Sequence, residues 1–396
     1  MILRASIPVY GGFTISRDDR IIFIRGAIPG ELVEVSIDES KKDYSLASVR
    51  KVIEPSEFRI EPQCPVFGEC GGCHLQFISY EKQVSMKEEI LLDSLKRIGD
   101  IEIQLLPALT DMDWNYRHRA QFKVSKGAMG FYKEWTRDVV QFNECPLMVE
   151  KINEIFKKVK TLNLSAIKEV HITYGDIPIV LIKGSPFNED IAERFAGIGF
   201  GGIAFEDGSY RGKGYVSLDL NGLRYTVSPW SFFQADWGLN TKVVEMILNE
   251  LSPINDRRVL DLYAGAGNFS LHIARNAKEV IGIEENVYSI KDGERNIAIN
   301  KINNYKFIRM TAKRYRFQGN FDIVLLDPPR PGLTSEVVKK IIESSPQRIV
   351  YISCNPSTLA RDLKRLKERY DIDSAMLIDF FPNTYHIEAV AFLHLK

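Results

Sequence analysis

The distribution of apolar and polar residues divides the chain into three regions. Residues 1–55 alternate short β-branched runs with glycine turns, and evenly spaced short strands of this kind predict a small OB-like β-barrel. Residues 56–225 combine a helical pattern over about 79–98 with strand-like segments at 121–124 and 171–174. This mixture predicts an α+β central domain, and the helix is expected to pack on the domain that follows.

Residues 226–396 have a different texture, in which apolar strands alternate with helical segments. Four of the strands are expected at 259–263, 279–284, 321–327 and 348–353. Strands that are apolar on both faces predict a parallel, doubly wound α/β sheet, and therefore a Rossmann-like domain. Ligands of such sheets bind at the carboxyl ends of the strands, so the residues at these ends are the first candidates for a site.

Charge and hydropathy limit the function classes. The 396 residues include 52 Lys and Arg and 52 Asp and Glu, so net charge argues neither for nor against a polyanionic partner, and a nucleic-acid surface must be a local patch. Short basic runs at 117–119, 313–316 and 361–369 are candidates. No leader-like start and no apolar run of membrane-spanning length occurs, so we expect a cytoplasmic protein with no membrane and no obligate protein partner.

A glycine loop follows the first strand of the C-terminal region and opens a helix, with the sequence Asp261-Leu262-Tyr263-Ala264-Gly265-Ala266-Gly267. Glu284 ends the next strand, where a carboxylate can accept hydrogen bonds from both ribose hydroxyls of a nucleoside. The spacing suits a nicotinamide cofactor, but that fingerprint needs a third glycine where this chain has Ser270. Asp261 would also repel phosphate, whereas S-adenosylmethionine has none. A methyl donor is therefore the favoured cofactor.

Four of the five cysteines form a candidate metal set, namely Cys64, Cys70, Cys73 and Cys145. An odd number of cysteines with three crowded together suits metal ligation in a reducing compartment better than a disulfide framework. Four thiolates can hold tetrahedral zinc or an iron-sulfur cluster. The short C-x2-C spacing favours zinc, whereas the x5 gap and the Gly71-Gly72 bend favour a cluster.

The fifth cysteine, Cys354, follows an apolar strand and is free to act as a nucleophile. A lone cysteine in such a run is more often a small core residue, so the neighbouring motifs must decide. Asp327-Pro328-Pro329-Arg330 ends an earlier strand. In many amino methyltransferases a similar loop with an aromatic residue in the last position holds an exocyclic amine, so Arg330 favours another target. Glu388 lies in an apolar frame, where an unpaired carboxylate is costly and suggests a functional site.

Several motifs occur together, namely Gln234, the 261–269 loop, Asp327-Pro328-Pro329-Arg330, Ser353-Cys354-Asn355-Pro356 and His386-Ile387-Glu388-Ala389-Val390. The combination resembles the RNA (uracil-5-)-methyltransferase family, which belongs to the class I S-adenosylmethionine-dependent enzymes. The N-terminal barrel resembles the TRAM domain of that family. The cysteine spacing is similar to the 4Fe-4S site of its cluster-bearing branch, with zinc as the alternative.

The resemblance implies a reaction and a set of site residues. The thiolate of Cys354 is expected to attack carbon 6 of a uracil in RNA, and Glu388 to remove the proton from carbon 5 after methylation. The residues expected to hold S-adenosylmethionine are Gln234, Tyr263, Asn268, Glu284 and Asp327. Phe232 is a candidate for stacking on a base that must leave its stack, and core packing is the alternative explanation for a phenylalanine at this position. Residues 310–313 lack the polar residue that relatives use near adenine.

The resemblance leaves the RNA open. A uridine of the tRNA T-loop is the favoured substrate, and a large-subunit rRNA uridine is the alternative. Radical methylthiotransferases need a C-x3-C-x2-C motif, and RNA cytosine-5 methyltransferases carry a cysteine in the Asp-Pro loop; this chain has neither. A non-catalytic RNA-binding or assembly protein is the remaining alternative, and it has no use for Cys354 and Glu388 together.

Overall fold

The computed structural model describes residues 1–17, 20–317 and 319–396. Its N-terminal part is a six-stranded sheet in the order β1-β5-β6-β4-β3-β2, with bounds β1 Ile2–Arg4, β2 Ile7–Val9, β3 Phe13–Arg17, β4 Ile21–Arg25, β5 Leu32–Ser40 and β6 Tyr44–Glu54. The β4–β6 pair is parallel and the other pairs are antiparallel. Ile22, Ile24 and Val33 are among the residues of its separate apolar core.

The central part is a seven-stranded sheet in the order β10-β9-β8-β11-β12-β13-β14. Its bounds are β8 Arg119–Ser125, β9 Ala128–Tyr132, β10 Val139–Val140, β11 Glu169–Tyr174, β12 Pro178–Lys183, β13 Gly202–Phe205 and β14 Tyr210–Gly212, with helices α2 Glu150–Val159 and α3 Glu189–Gly197. The helices bury Phe156 and Phe195 in one core with Phe122 and Phe205 of the sheet.

The third sheet has eight strands in the order β19-β18-β17-β20-β21-β23-β22-β7. Its strands are β7 Leu106–Leu109, β17 Arg258–Leu262, β18 Glu279–Glu284, β19 Tyr305–Arg309, β20 Ile323–Leu326, β21 Arg348–Ser353, β22 Tyr370–Ile378 and β23 Glu388–Leu395. The helices are α1 Tyr80–Arg97, α4 Trp237–Leu251, α5 Ser270–Ile273, α6 Val287–Ile299, α7 Ser335–Ser344 and α8 Pro356–Leu366. β23 runs antiparallel to both of its neighbours, whereas the remaining pairs are parallel.

Successive strand residues face opposite layers of this sheet, as the pleat requires. Val259 belongs to the apolar core on one face, and Leu260 belongs to the core on the other. The predicted Rossmann-like α/β domain is therefore confirmed, with strands within a few residues of their expected bounds. The OB-like barrel stays a prediction, although the six short strands agree with it.

Two segments from earlier in the chain join this third sheet. Helix α1 places Leu91 and Leu95 in the same core as Leu359 and Leu363 of α8, and β7 pairs with β22 at the sheet edge. The hairpin of β15 Val216–Leu220 and β16 Leu223–Val227 also packs in the core of this sheet. The sheet is thus assembled from separated parts of the chain.

Among the described residues, none of the helices combines the length and the apolar character needed to span a membrane.

Candidate active site

The loop after β17 holds three residues in the left-handed region, with φ of 66° at Tyr263, 55° at Gly265 and 84° at Gly267. Glycine adopts this conformation without steric cost, whereas Tyr263 adopts it under strain. The turn brings the backbone N–H of Gly265 within 2.9 Å of Oε2 of Glu284. The ends of β17 and β18 therefore form one continuous rim.

The carboxylate of Glu284 is oriented by backbone donors. Besides Gly265, the N–H groups of Glu285 and Asn286 donate to its Oε1 at 2.8 and 2.7 Å. An acidic side chain held at the end of the second strand of such a sheet is placed to accept ribose hydroxyls. The structure therefore places Glu284 at the strand end, as the sequence predicted, and its contact with a nucleoside stays a prediction.

Asp261, which lies at the start of the loop, is buried. Its carboxyl accepts a hydrogen bond from the hydroxyl of Ser270, which lies 2.8 Å from the hydroxyl of Tyr305. Burial, followed by the charges of Asp327 and Glu284, raises the pKa of Asp261 to about 8. The hydrogen bond from Ser270 opposes this rise, and the net direction weakens the repulsion of phosphate that the sequence suggested.

Gln234 and Asn268, also predicted to bind the cofactor, differ in whether their polar atoms are already hydrogen bonded within the protein. Gln234, between β16 and α4, is buried at the cavity wall. Asn268 also lines the cavity, but its carboxamide exchanges two 2.8 Å hydrogen bonds with that of Asn240. Its polar atoms are therefore engaged within the protein, which weakens its predicted role toward a cofactor.

Strand register brings Cys354 and Glu388 together. Cys354 follows the last residue of β21 and Glu388 is the first residue of β23. Because the two strands are antiparallel neighbours with Ser353 opposite Ala389, the end of one lies beside the start of the other. Asn355 then caps α8 by accepting the N–H of Ser357 at 3.0 Å, which fixes the turn that carries the thiol.

The carboxyls beside Cys354 are buried and influence one another. Burial raises the pKa of Asp327 to about 7, and burial followed by the charge of Asp327 raises the pKa of Glu388 well above its ordinary value. The pKa of Cys354 is raised by burial, then by the charges of Glu388 and Asp327, and the Arg330 guanidinium opposes this. Perturbed acids clustered in a cleft are typical of catalytic sites.

The predicted site residues share one cavity, whose volume is about 1020 Å³. Its walls include the seven residues predicted for catalysis and cofactor binding, namely Gln234, Tyr263, Asn268, Glu284, Asp327, Cys354 and Glu388. Phe232, at 68% exposure, stands in its wall as well. Residues 310–313 do not line it. The volume suits a nucleoside-sized cofactor together with a second ligand.

Comparison with known proteins agrees with this geometry. The family model described as tRNA (Uracil-5-)-methyltransferase matches residues 214–396. A protein of Aquifex aeolicus described as an uncharacterized RNA methyltransferase is 36% identical, with 98% of this chain and 97% of that protein covered. The 23S rRNA (uracil(1939)-C(5))-methyltransferase RlmD of Legionella pneumophila is 35% identical over 93% of this chain and 91% of its own.

This chain belongs to the RNA (uracil-5-)-methyltransferase family. A solved member is similar over the whole length: the Pyrococcus abyssi tRNA (uracil-54, C5)-methyltransferase, in complex with S-adenosyl-L-homocysteine. It superposes with a TM-score of 0.79 at 25% identity, covering 99% of this chain and 100% of that one. The predicted family and the prediction of an RNA methyltransferase that uses S-adenosylmethionine are confirmed. The non-catalytic alternative is therefore rejected.

The four other cysteines line a different cavity from the one that contains Cys354 and Glu388. Cys64, Cys70, Cys73 and Cys145 line one small cavity, whose other walls are mostly apolar and include Arg117. None of the four forms a disulfide bond. Across the described ranges, no three His, Cys, Asp or Glu side chains are arranged to hold a single metal ion.

Several cavity residues were not predicted as part of the site. His74 follows Cys73, and its ring lies 4.5 Å from that of Tyr385. Tyr385 in turn contacts Tyr10 of the N-terminal sheet at 5.7 Å. His74 and Tyr385 line the cavity. Neither carries a sequence signal of function, because each reaches the cavity through packing with residues that are distant in the chain. The hairpin turn at Trp135 also lines the cavity.

Proposed function

We propose that this protein methylates carbon 5 of a uridine in RNA through a covalent bond between Cys354 and carbon 6 of the base. The observation that carries the proposal is the register that places Cys354 and Glu388 at adjoining strand ends, in one cavity with Asp327 and Glu284. Family membership alone leaves the covalent step open, because it assigns no roles to individual residues.

The reaction can be written with these groups. The thiolate of Cys354 adds to carbon 6, and the electron pair moves to form an enolate whose carbon 5 takes the methyl group from S-adenosylmethionine. S-adenosylhomocysteine leaves. Glu388 removes the proton from carbon 5, and the electron pair of that bond expels the thiolate. The base is then an aromatic 5-methyluracil, and Cys354 and Glu388 are ready for another turnover after proton exchange.

S-adenosylmethionine fits the rim formed by β17, β18 and β20. Glu284 holds the ribose hydroxyls, while Gln234, Tyr263 and Asp327 contact the remaining parts of the cofactor. Asn268 contributes shape, since its carboxamide is paired with Asn240. When bound, the cofactor supplies an electrophilic methyl group, and its positive sulfonium charge favours the ionised forms of the nearby carboxyls.

Phe232 is the proposed stacking partner of the target base. The guanidinium of Arg119 donates to the carbonyl oxygens of Pro229 and Ser231 at 2.8 and 2.5 Å, which fixes the loop that carries Phe232. An enzyme that modifies carbon 5 must remove the base from its stack. An exposed ring on a fixed loop can replace the lost stacking.

The cysteine quartet is proposed to hold a 4Fe-4S cluster. Four thiols that converge on one apolar cavity are a suitable donor set. The resemblance of the Cys64-x5-Cys70-x2-Cys73 spacing to the cluster-bearing branch of the family favours the cluster over tetrahedral zinc. Arg117 lies at the same cavity, where its charge offsets that of four thiolates. With four protein ligands the cluster would be structural.

For the domains, we propose a TRAM-like barrel over residues 1–55, a central domain, and a catalytic domain. The expected boundary at 226 is better placed near 214, because the hairpin of β15 and β16 packs in the catalytic core and the family match also begins at 214. The barrel and central domain would present RNA to the cavity.

Two RNAs are candidates. Three relatives, at 31–35% identity over more than nine-tenths of this chain, are named 23S rRNA (uracil(1939)-C(5))-methyltransferases. The solved tRNA methyltransferase is 25% identical. The higher identity to the rRNA enzymes favours a large-subunit rRNA uridine over the tRNA uridine that we expected from the sequence. Methyl transfer from labelled S-adenosylmethionine to separate 23S rRNA and tRNA transcripts, followed by mapping of the product, decides between them.

The covalent step has its own test. RNA that contains 5-fluorouridine should trap an adduct that survives denaturing gels, because fluorine cannot leave as a proton. Cys354→Ala should give no adduct, and an equal adduct with that variant would refute the assignment. Glu388→Gln should accumulate adduct on unmodified RNA; ordinary turnover by this variant would remove Glu388 from the role of base.

A further inference from the structure

A single tryptophan stands at the rim of the cavity on a hairpin of the central domain. Trp135 lies in the turn between β9 and β10, lines the cavity that contains Cys354, and is 84% exposed. That is the highest value among the large hydrophobic side chains of the described residues. Its φ is 62°, a conformation that bulky residues rarely adopt. An exposed and strained aromatic residue at a cleft suggests a function.

The hairpin that carries Trp135 is anchored below its tip. The N–H of Gly71 donates to the carbonyl of Tyr132 at 2.9 Å, and that of Lys133 donates to the carbonyl of Asp138 at 2.8 Å. Glu134 forms an ion pair with Arg25 of the N-terminal sheet at 2.5 Å. A fixed platform loses little entropy when a ligand binds.

The cysteine segment approaches this hairpin closely. A Cβ atom added at Gly71 would lie 3.0 Å from the carbonyl oxygen of Tyr132 and 3.1 Å from the backbone of Glu134. A side chain at position 71 would therefore force either the cysteine segment or the hairpin to move. The hairpin is built against the segment between Cys70 and Cys73, which explains how its turn can keep a strained conformation.

The charges around the tip favour an anionic ligand. Lys133 and Arg137 are exposed on the same turn as Trp135, and Arg330 is an exposed residue of the same cavity. In the described parts of the chain, none of these three cations is within ion-pair distance of a carboxylate. Of the two acidic residues of this turn, Glu134 is paired with Arg25 and Asp138 is exposed. Proteins bind single-stranded nucleic acid with cations that contact the phosphates and with aromatic rings that stack on the bases. The turn at Trp135 offers both.

We propose that Trp135 stacks on a nucleobase next to the target uridine and holds the unpaired strand at the cavity mouth, opposite Phe232. The inference rests on the proposed function for the identity of the RNA. It adds a contact from the central domain, so the two walls of the cavity each supply one aromatic ring. Single surface hydrophobic residues are common, but the strain, the anchoring and the shared cavity set Trp135 apart from them.

The test compares RNA dissociation constants, a readout that requires no turnover. Trp135→Ala should bind the 23S rRNA or tRNA transcript about 5- to 150-fold more weakly, as expected for one lost base stack. Trp135→Phe should recover most of the affinity, which a collapsed hairpin would prevent. Phe187→Ala is the matched control, since Phe187 is 42% exposed in the central domain and does not line the cavity.

Two further measurements separate stacking from other effects. The salt dependence of binding should be unchanged in Trp135→Ala, whereas Lys133→Ala and Arg137→Ala should each lower its slope by about one phosphate contact. Abasic RNA at one position beside the uridine should abolish the difference between wild type and Trp135→Ala. Equal affinity of the two proteins, or a penalty that persists at every abasic position, would overturn the proposal. Absence of methyl transfer by the wild type would instead refute the proposed function.

Discussion

Gln83 and Asn383, 300 positions apart, are joined by two hydrogen bonds: the Gln83 carboxamide accepts the N–H of Asn383 at 2.8 Å and donates to its side-chain oxygen at 3.1 Å. The carbonyl of Asn383 also accepts the N–H groups of His74 and Leu75 at 2.9 and 3.1 Å. One asparagine with a φ of 65° thus ties helix α1 and the cysteine segment to the loop that leads to Glu388.

This link predicts that Gln83→Leu impairs catalysis from a distance. The change leaves the buried N–H of Asn383 without its acceptor, at a cost of about 1–3 kcal/mol. We expect a fall in the free energy of unfolding of that size, measured by urea denaturation, and a lower kcat with little change in the affinity for S-adenosylhomocysteine. Glu81→Leu, at an exposed position of the same helix, is the control and should leave kcat unchanged. An unchanged kcat in Gln83→Leu would contradict the link.

The pH dependence of Cys354 should respond to its neighbours. Glu388 and Asp327 raise the pKa of the thiol and Arg330 lowers it. Glu388→Gln removes a negative charge, so the thiolate forms more easily and the pH profile of iodoacetamide alkylation should move to lower pH. Arg330→Ala should move it to higher pH. Mass spectrometry of the Cys354 peptide gives the rates, and profiles that coincide in all three proteins would contradict the proposed proximity.

The buried pair of Lys87 and Asp379 should be important for folding. The ammonium donates to Asp379 at 2.7 Å and to the carbonyl of Phe381 at 3.0 Å, and both charged side chains are almost fully buried. Lys87→Met leaves a buried carboxylate unpaired and should lower the free energy of unfolding by about 3–5 kcal/mol. The double variant with Asp379→Asn should lose less than Lys87→Met alone. Lys96→Met, from an exposed pair with Glu102, serves as the control.

Metal analysis should reveal iron rather than zinc. Protein purified without oxygen is expected to contain about four iron atoms per chain, and Cys145→Ser should lose most of them. Cys354→Ser is the control and should keep its iron, because Cys354 lies outside the quartet cavity. One zinc and no iron in the wild type would favour the alternative metal.

Glu284 should govern cofactor affinity. Glu284→Ala removes the acceptor for the ribose hydroxyls and also frees the N–H of Gly265, so binding of S-adenosylhomocysteine should weaken about 10- to 100-fold in calorimetry. Glu279→Ala, at the partly exposed start of the same strand, should bind normally. An unchanged affinity in Glu284→Ala would place the ribose elsewhere.

Local patterns predicted four strands of the catalytic sheet, at 259–263, 279–284, 321–327 and 348–353, because these strands are apolar on both faces and each ends in a distinct motif. Glu284 and Cys354 could thus be assigned to the same edge of the sheet from their positions in the chain. The hairpin of β15 and β16 lies before the expected boundary at 226 and still packs on the catalytic sheet, since an apolar face can pack on either core. Trp135 and Asn383 could not be predicted, because their importance arises from contacts with residues far away in the chain.

The pairing of β7 with β22 and of Lys87 with Asp379 has a consequence for attempts to exchange parts between relatives. The stretch that the family model matches, 214–396, is not an independent cassette: alone it would expose the edge of β22 and leave Asp379 without its cation. A chimaera intended to redirect the enzyme to another RNA would therefore have to retain residues 80–109 with their native catalytic half, and place its crossovers on either side of them.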